Sequence, residues 1–447
     1  MRIWIKSPLA ILSPAAAGGI VVEDGVIAEC LPAGGVPVVP CDEIFDAPAH
    51  VVLPGLINTH HHFYQTLTRA YGAALDKELF DWLKTLYPVW AGLTPDALDV
   101  ATRLALAELL LSGCTTAADH HYVFPGGLED GIDIQAAAAA DMGVRVTLMR
   151  GSMNLSVDDG GLPPKSVVQD GDTILADSAR VIDAFHDASA GAMVQIALAP
   201  CSPFSVTRDI MSDTAALAAD RNVRLHTHLA ETEDENAFCQ EMFGCRPIDY
   251  LEQVGWLNDR VWLAHGIHFT PEEITRLGAA GVGIAHCPGS NMVLASGMCP
   301  AIDLERAGAP VGIGVDGSAS EDASNLIQEA RHALQVQRLR YGAARVSHTD
   351  VLRWATSGAA RCLGRDDIGE IAVGKQADLA FFKLDEPRFS GAGDPLAALI
   401  LCGAHRADRV MVGGGWRVLD GEIPGLDIGA LMARHRIAAR ALASAAG

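Results

Sequence analysis

Residues 51–70, VVLPGLINTHHHFYQTLTRA, run from an unbroken apolar segment into three consecutive histidines, His60, His61 and His62. The same design recurs along the chain. Runs of strand length end in polar clusters at CTTAADHHY (114–122), VRVTLMRGS (144–152), VQIALAPCSP (194–203), VRLHTHLAE (223–231), VWLAHGIH (261–268), GVGIAHCPGSN (281–291) and PVGIGVDGSAS (310–320), eight runs in all. Helical segments separate them. LTPDALDVATRLALAELLLSG carries Thr94 as N-cap, Pro95 at the first helical position and Gly113 past the end, and FTPEEITRLGAAG repeats the design with Thr270, Pro271 and Gly278.

Eight near-continuous apolar strands alternating with helices predict an α/β chain built on a (β/α)8 TIM-type barrel, with a doubly wound open sheet as the alternative. The count of eight and the polar endings favour the barrel, whose chemistry sits at the C-terminal strand ends. Both termini read as short strands. IVVEDGVIAEC (20–30) holds an Asp-Gly hairpin turn, and ADLAFFKL and ADRVMVGGGWRVLDGE end the chain in a similar style. The expected organisation is a small β-sandwich domain from residues 1–52 and 370–425, a catalytic barrel over 53–369 and a helical tail over 426–447.

The formal net charge of −22, from 33 Lys+Arg against 55 Asp+Glu, and the absence of any basic run argue against nucleic acid or an anionic membrane as partner. The apolar runs fall short of a membrane span. Ten scattered cysteines without a C-x-x-C read as small buried residues of a reducing compartment, and no signal peptide is evident in MRIWIKSPLAILSPAAAGG, so the expected location is cytoplasmic.

Alternate side chains of a strand face opposite ways, so His60 and His62 share a face and His61 points away. An inward H-x-H pair can grip one metal ion. His226 and His228 repeat the spacing on the fifth run, His265 ends the sixth and Asp316 the eighth. Imidazoles and a carboxylate from four strand ends make a mixed N/O set suited to Zn²⁺ or Fe²⁺. A divalent ion lowers the pKa of water to about 7. Asp316 can accept the proton released, and His265 can steady the developing oxygen. Glu231 follows His228 by three residues and, where the strand leaves its ladder, can turn back into the mouth.

PGLINTHHH, HTHLAET, AHGIH and GVDGSAS, in this order, resemble the amidohydrolase superfamily, in its branch of mononuclear aminohydrolases. The resemblance implies that His60, His62, His228 and Asp316 bind the metal and that His265 lies beside it. Binuclear members carry a carbamylated Lys on the fourth strand; VQIALAPCSP has none, which implies one ion per chain, zinc with iron as the alternative. H-x-x-E on the fifth strand marks members that deaminate ring C–NH2 groups, with Glu231 as proton donor. Gln65, in H-x-H-x-x-Q, and Cys201, where guanine-deaminating members carry Arg, are implied as substrate-binding.

The resemblance is nearest to members acting on 8-oxoguanine, which implies urate and ammonia as products. Isoxanthopterin, guanine and a hydroxylated aminotriazine are alternative substrates of the same chemistry, and a cyclic-amide hydrolase is the alternative of another class. A small heterocycle is the expected partner, and a homo-oligomer the expected assembly.

Four further expectations are open from the residues alone. Arg150 either binds a ring carbonyl or forms a rim salt bridge. One of His120 and His121 faces the site. Residues 75–90, with Trp82, Tyr87 and Trp90, are either a lid or a helix burying its aromatic face. His268 supports neighbouring loops.

Overall fold

The computed structural model describes residues 1–445. Eight parallel strands, Leu56–Asn58, Cys114–His121, Arg145–Ser152, Val194–Pro200, Arg224–Leu229, Val261–His265, Gly283–His286 and Val311–Ile313, close into a barrel in chain order. The last strand meets the first at Ile313 and Asn58. The expected caps form. The Thr94 side chain accepts from the Ala97 N–H, and Thr270 and Glu273 form a reciprocal capping box.

Gly278 does not end its helix, contrary to expectation. The helix continues to Ala280 and stops at left-handed Gly281, φ 70°. A Cβ at residue 278 would lie 2.2 Å from the Ala307 carbonyl oxygen, so this glycine serves the close approach of the helix Ala301–Ala307.

The termini build two sheets. One has four strands, in the order Val26–Leu31, Gly19–Glu23, Arg2–Lys6 and Glu43–Asp46. The other has five, in the order Gly415–Val418, Arg409–Val412, Leu379–Lys383, His50–Pro54 and Ala10–Ile11. Ile3, Ile5, Ile20, Val22, Val52, Leu379, Phe381 and Met411 pack in one apolar layer between them. The Asp-Gly hairpin has both turn residues in the left-handed region, Asp24 at φ 49° and Gly25 at φ 86°, which matches the right-handed strand twist.

The first apolar run is not one strand. His50–Pro54 pairs antiparallel with Leu379–Lys383 in the small domain, whereas Leu56–Asn58 belongs to the barrel. The boundary expected between residues 52 and 53 falls inside the former strand, and the chain changes sheets at Gly55. A Cβ there would lie 2.1 Å from Thr115 Oγ1, so the tight passage needs glycine. The helix Ile428–Ala445 follows the small domain and packs on the helix Pro95–Leu111, with His435 Nε2 3.1 Å from Thr66 Oγ1. The last two residues of the expected tail, 446 and 447, lie outside the described residues.

A buried ion pair joins the barrel floor to the small domain. Arg145 donates from Nε to Asp378 Oδ2 at 2.9 Å and from Nη2 to Oδ1 at 3.1 Å. Its Nη1 donates to the carbonyls of Gly191 and Ala192 at 2.7 and 2.6 Å. Removing one partner leaves a charge buried alone, so Arg145→Met is expected to cost about 3–5 kcal/mol, read as a lower denaturant midpoint at unchanged m-value.

Candidate active site at the barrel mouth

The C-terminal strand ends bring His60, His62, His228 and Asp316 together. His62 Nε2 lies 3.2 Å from His228 Nε2, and Asp316 Oδ1 lies 3.2 Å from His60 Nε2 and 3.3 Å from His62 Nε2. The far nitrogen of each imidazole is held. His62 Nδ1 donates to the His120 carbonyl at 2.7 Å and His228 Nδ1 to the Cys201 carbonyl at 2.6 Å. His60 Nδ1 lies 2.8 Å from His226 Nε2.

His60, His62 and His228 form one of the His clusters able to hold a metal ion, and His60, His265 and Asp316 form another. His60 Nε2 is buried without a hydrogen-bond partner among the described residues. Three convergent imidazole nitrogens with one carboxylate form a donor set that fits a divalent ion. Burial pulls the His60 imidazole well down and His228 to about 3, so both stay neutral, as ligation requires. Burial pushes the Asp316 carboxyl up, but the close His60, His62 and His265 imidazoles outweigh it and hold the group well below the usual range.

His61 turns away from this cluster, as its parity predicts. Its ring packs on Phe63 at 5.0 Å, and its Nδ1 accepts the His62 N–H at 2.8 Å. Of the second-strand pair, His120 faces inward and stacks on His228 at 4.9 Å, while His121 packs on Phe124 at 4.7 Å.

Three strand ends carry non-glycine residues in the left-handed region: Ala230 at φ 52°, His265 at φ 67° and Asp316 at φ 65°. Such backbone is costly and concentrates where function demands it. At Ala230 it reverses the alternation, so Glu231 turns back into the barrel mouth. Its Oε2 lies 3.4 Å from His265 Nε2, and its Oε1 accepts from Ser296 Oγ at 3.4 Å. The turn is clamped by buried Glu235, whose carboxylate accepts the N–H groups of Ala230 and Glu231 at 2.8 and 3.1 Å. His265 Nδ1 lies 2.9 Å from Asn291 Oδ1, which leaves Nε2 facing Glu231 and Asp316 Oδ2, the latter at 3.8 Å.

Burial raises the Glu231 pKa. Burial works against the His265 imidazolium, but the Glu231 and Asp316 charges win and raise its pKa. Both shifts favour the protonated form of their group.

These groups line a pocket at the barrel mouth with Gln65, Cys201 and Ser320, walled by Leu79, Trp82, Leu83, Tyr87, Phe204 and Leu294. Gln65 Oε1 is buried without a partner among the described residues, and Gly317 makes room for it: a Cβ there would lie 1.9 Å away. Burial pushes the Cys201 thiol up to about 12, which keeps it a neutral wall group.

The helix Leu79–Trp90 buries its aromatic face, one of the two alternatives foreseen for residues 75–90. Trp90 is fully buried, with Nε1 donating to Thr68 Oγ1 at 3.2 Å, while Trp82 and Tyr87 face the pocket.

Arg150 does not line this pocket but forms the salt bridge of the other alternative. It is buried outside the pocket, donating to Asp177 at 2.8 Å and Gln169 at 2.9 Å and stacking on Phe124 at 4.1 Å. Arg150 pairs in register with His121, whose side chain also points outward. His268 ties loops together through the Ser296 carbonyl at 2.8 Å and Glu233 at 2.9 Å. Asn291, Ser296 and Glu235 were not among the expected site residues. The polar ending of the seventh run held the signal for Asn291; Glu235 was hidden in the acidic run ETEDE.

The model of the Amidohydrolase family matches residues 51–417. The chain belongs to the amidohydrolase family. Among similar amidohydrolases is 8-oxoguanine deaminase of Pseudomonas aeruginosa, 66% identical over 444 residues and 99% of either chain. An isoxanthopterin deaminase of an unknown prokaryotic organism is 36% identical over 423 residues, 90% of this chain and 88% of that one. In structure, the chain is similar to atrazine chlorohydrolase of Arthrobacter aurescens TC1 complexed with zinc, with TM-score 0.93 and 32% identity over 98% of this chain and 100% of that one. No helix among the described residues is long and apolar enough to cross a membrane.

Proposed function

We propose that the chain hydrolyses 8-oxoguanine to urate and ammonia, with one divalent ion, zinc, held by His60, His62, His228 and Asp316. The observation that carries this reading is the buried Glu231 carboxyl, turned by Ala230 to within 3.4 Å of His265 beside that four-residue cluster, in a chain 66% identical to an 8-oxoguanine deaminase. The ion, when bound, supplies water activation near neutral pH by lowering the pKa of water to about 7.

The chain's own groups do the rest. Asp316 accepts the proton that the attacking water gives up. His265, oriented by Asn291, donates a hydrogen bond from Nε2 to the oxygen arriving at the amino-bearing carbon. That carbon lies between two ring nitrogens. Glu231 protonates the nearer one and so offsets the loss of aromaticity on attack. Asp316 returns its proton to the amino group, the C–N bond breaks with its electron pair on nitrogen, ammonia leaves, and the proton remaining on the added oxygen goes back to Glu231 as the carbonyl forms. Gln65 can both donate to and accept from the edge of the base. Trp82 and Tyr87 enclose the ring and keep bulk water from it.

Cys201 is a neutral wall group beside His228, its Sγ 3.9 Å from His228 Nδ1. It can tolerate the N7–H donor that distinguishes the oxidised base from guanine, whereas an arginine can only donate. The test is steady-state ammonia release on a panel of 8-oxoguanine, guanine, isoxanthopterin and hydroxylated aminotriazines, with zinc content measured on the same sample. The expected result is a clear maximum of kcat/KM for 8-oxoguanine. Equal turnover of guanine would refute the substrate, and ring opening without ammonia would refute the reaction class.

A further inference from the structure

A backbone carbonyl can only accept, so its partner nitrogen must carry a proton. The Trp262 carbonyl lies 2.8 Å from His226 Nδ1 and thereby makes His226 the Nδ1–H tautomer. Its Nε2 is then a lone pair, and it faces His60 Nδ1 at 2.8 Å. His60 must donate there, which leaves its own Nε2 as the lone pair. That nitrogen has no hydrogen-bond partner among the described residues and lies 3.2 Å from Asp316 Oδ1. The direction of one main-chain dipole is thus handed through two imidazoles to the mouth of the barrel.

The arrangement differs from that of the other two imidazoles in the cluster. His62 and His228 donate straight to the carbonyls of His120 and Cys201. Only His60 among these three depends on another side chain. His60, His226 and Trp262 are all fully buried, so water cannot stand in for a missing partner. The ring of His226 also packs on that of Trp262 at 4.5 Å, which by itself would explain a core histidine. Packing, however, does not require the 2.8 Å contact to His60.

We propose that His226 is a positioning residue that fixes the tautomer and ring orientation of His60, and through it the affinity of the metal site. The proposal rests on the reading of His60, His62, His228 and Asp316 as ligands. His226→Leu fills the space but gives the His60 Nδ1–H no acceptor. His226→Gln can donate to Trp262 and accept from His60, so it preserves both directions.

Zinc affinity is measured by chelator competition on metal-stripped protein for the wild type, His226→Leu, His226→Gln and His228→Leu. The expected result is a loss of about 10–100-fold for His226→Leu, with most of it restored in His226→Gln. A purely structural role would lower thermal stability in both variants and leave zinc affinity alone. An affinity for His226→Leu within about twofold of wild type, or no recovery in His226→Gln, overturns the proposal. Unchanged affinity in His228→Leu overturns instead the ligand set beneath it. Should His226→Leu not fold, long-range ¹H–¹⁵N imidazole correlations of metal-free wild type decide the matter: Nδ1–H on both His60 and His226 is expected, and Nε2–H on His60 contradicts it.

Discussion

Glu231→Gln is expected to lower kcat by about 10²–10⁴-fold, or roughly 3–5 kcal/mol in the barrier, while zinc content stays at the wild-type level. The amide keeps the volume and the contact with Ser296 but cannot deliver a proton. Glu231 touches the metal cluster only through His265, 3.4 Å away, so its loss leaves the four-residue donor set intact. Burial raises the pKa of this carboxyl, the direction that the proposed role of proton donor requires. Steady-state ammonia release with metal analysis checks the outcome. A variant retaining more than about a tenth of wild-type kcat would remove Glu231 from the reaction.

Asp316→Asn is expected to have a larger effect, because one side chain holds two roles. Its Oδ1 faces His60 and His62 at 3.2 and 3.3 Å, and its Oδ2 lies 3.8 Å from His265. The amide removes an anionic donor from the metal cluster and abolishes the proton acceptor. Loss of the acceptor alone is worth about 10²–10⁴-fold in kcat, and zinc affinity should fall as well. Excess zinc therefore restores occupancy without restoring turnover. Recovery of wild-type kcat on zinc addition would show that Asp316 serves only as a ligand.

The parts of this fold governed by local rules were legible in the residues. Strand parity separated His60 and His62 from His61, and the Thr-Pro starts of two helices announced their caps. Where a residue's role depends on a neighbour distant in sequence, local rules ran out. The unbroken apolar run around Gly55 hides a change of sheet, because both sheets want the same side chains there. Gly278 reads as a helix stop, yet it serves contact with a helix that follows the next barrel strand. Arg150 could face either way until its register with His121 set it outward. Glu235 sits in an acidic run that looks solvated, and only the left-handed turn at Ala230 gives its carboxylate two N–H groups to hold. The H-x-H of the fifth strand showed its spacing, but not that its two members act at different depths.

The most direct test is a zinc titration of metal-stripped wild-type protein, with ammonia release from 8-oxoguanine and bound zinc followed in the same sample. Activity should rise linearly from near zero and level off at about one ion per chain, and an otherwise identical His62→Ala, His228→Ala double variant should show neither binding nor turnover. Full activity in the stripped wild-type protein, or unimpaired binding and turnover in the double variant, would contradict the account.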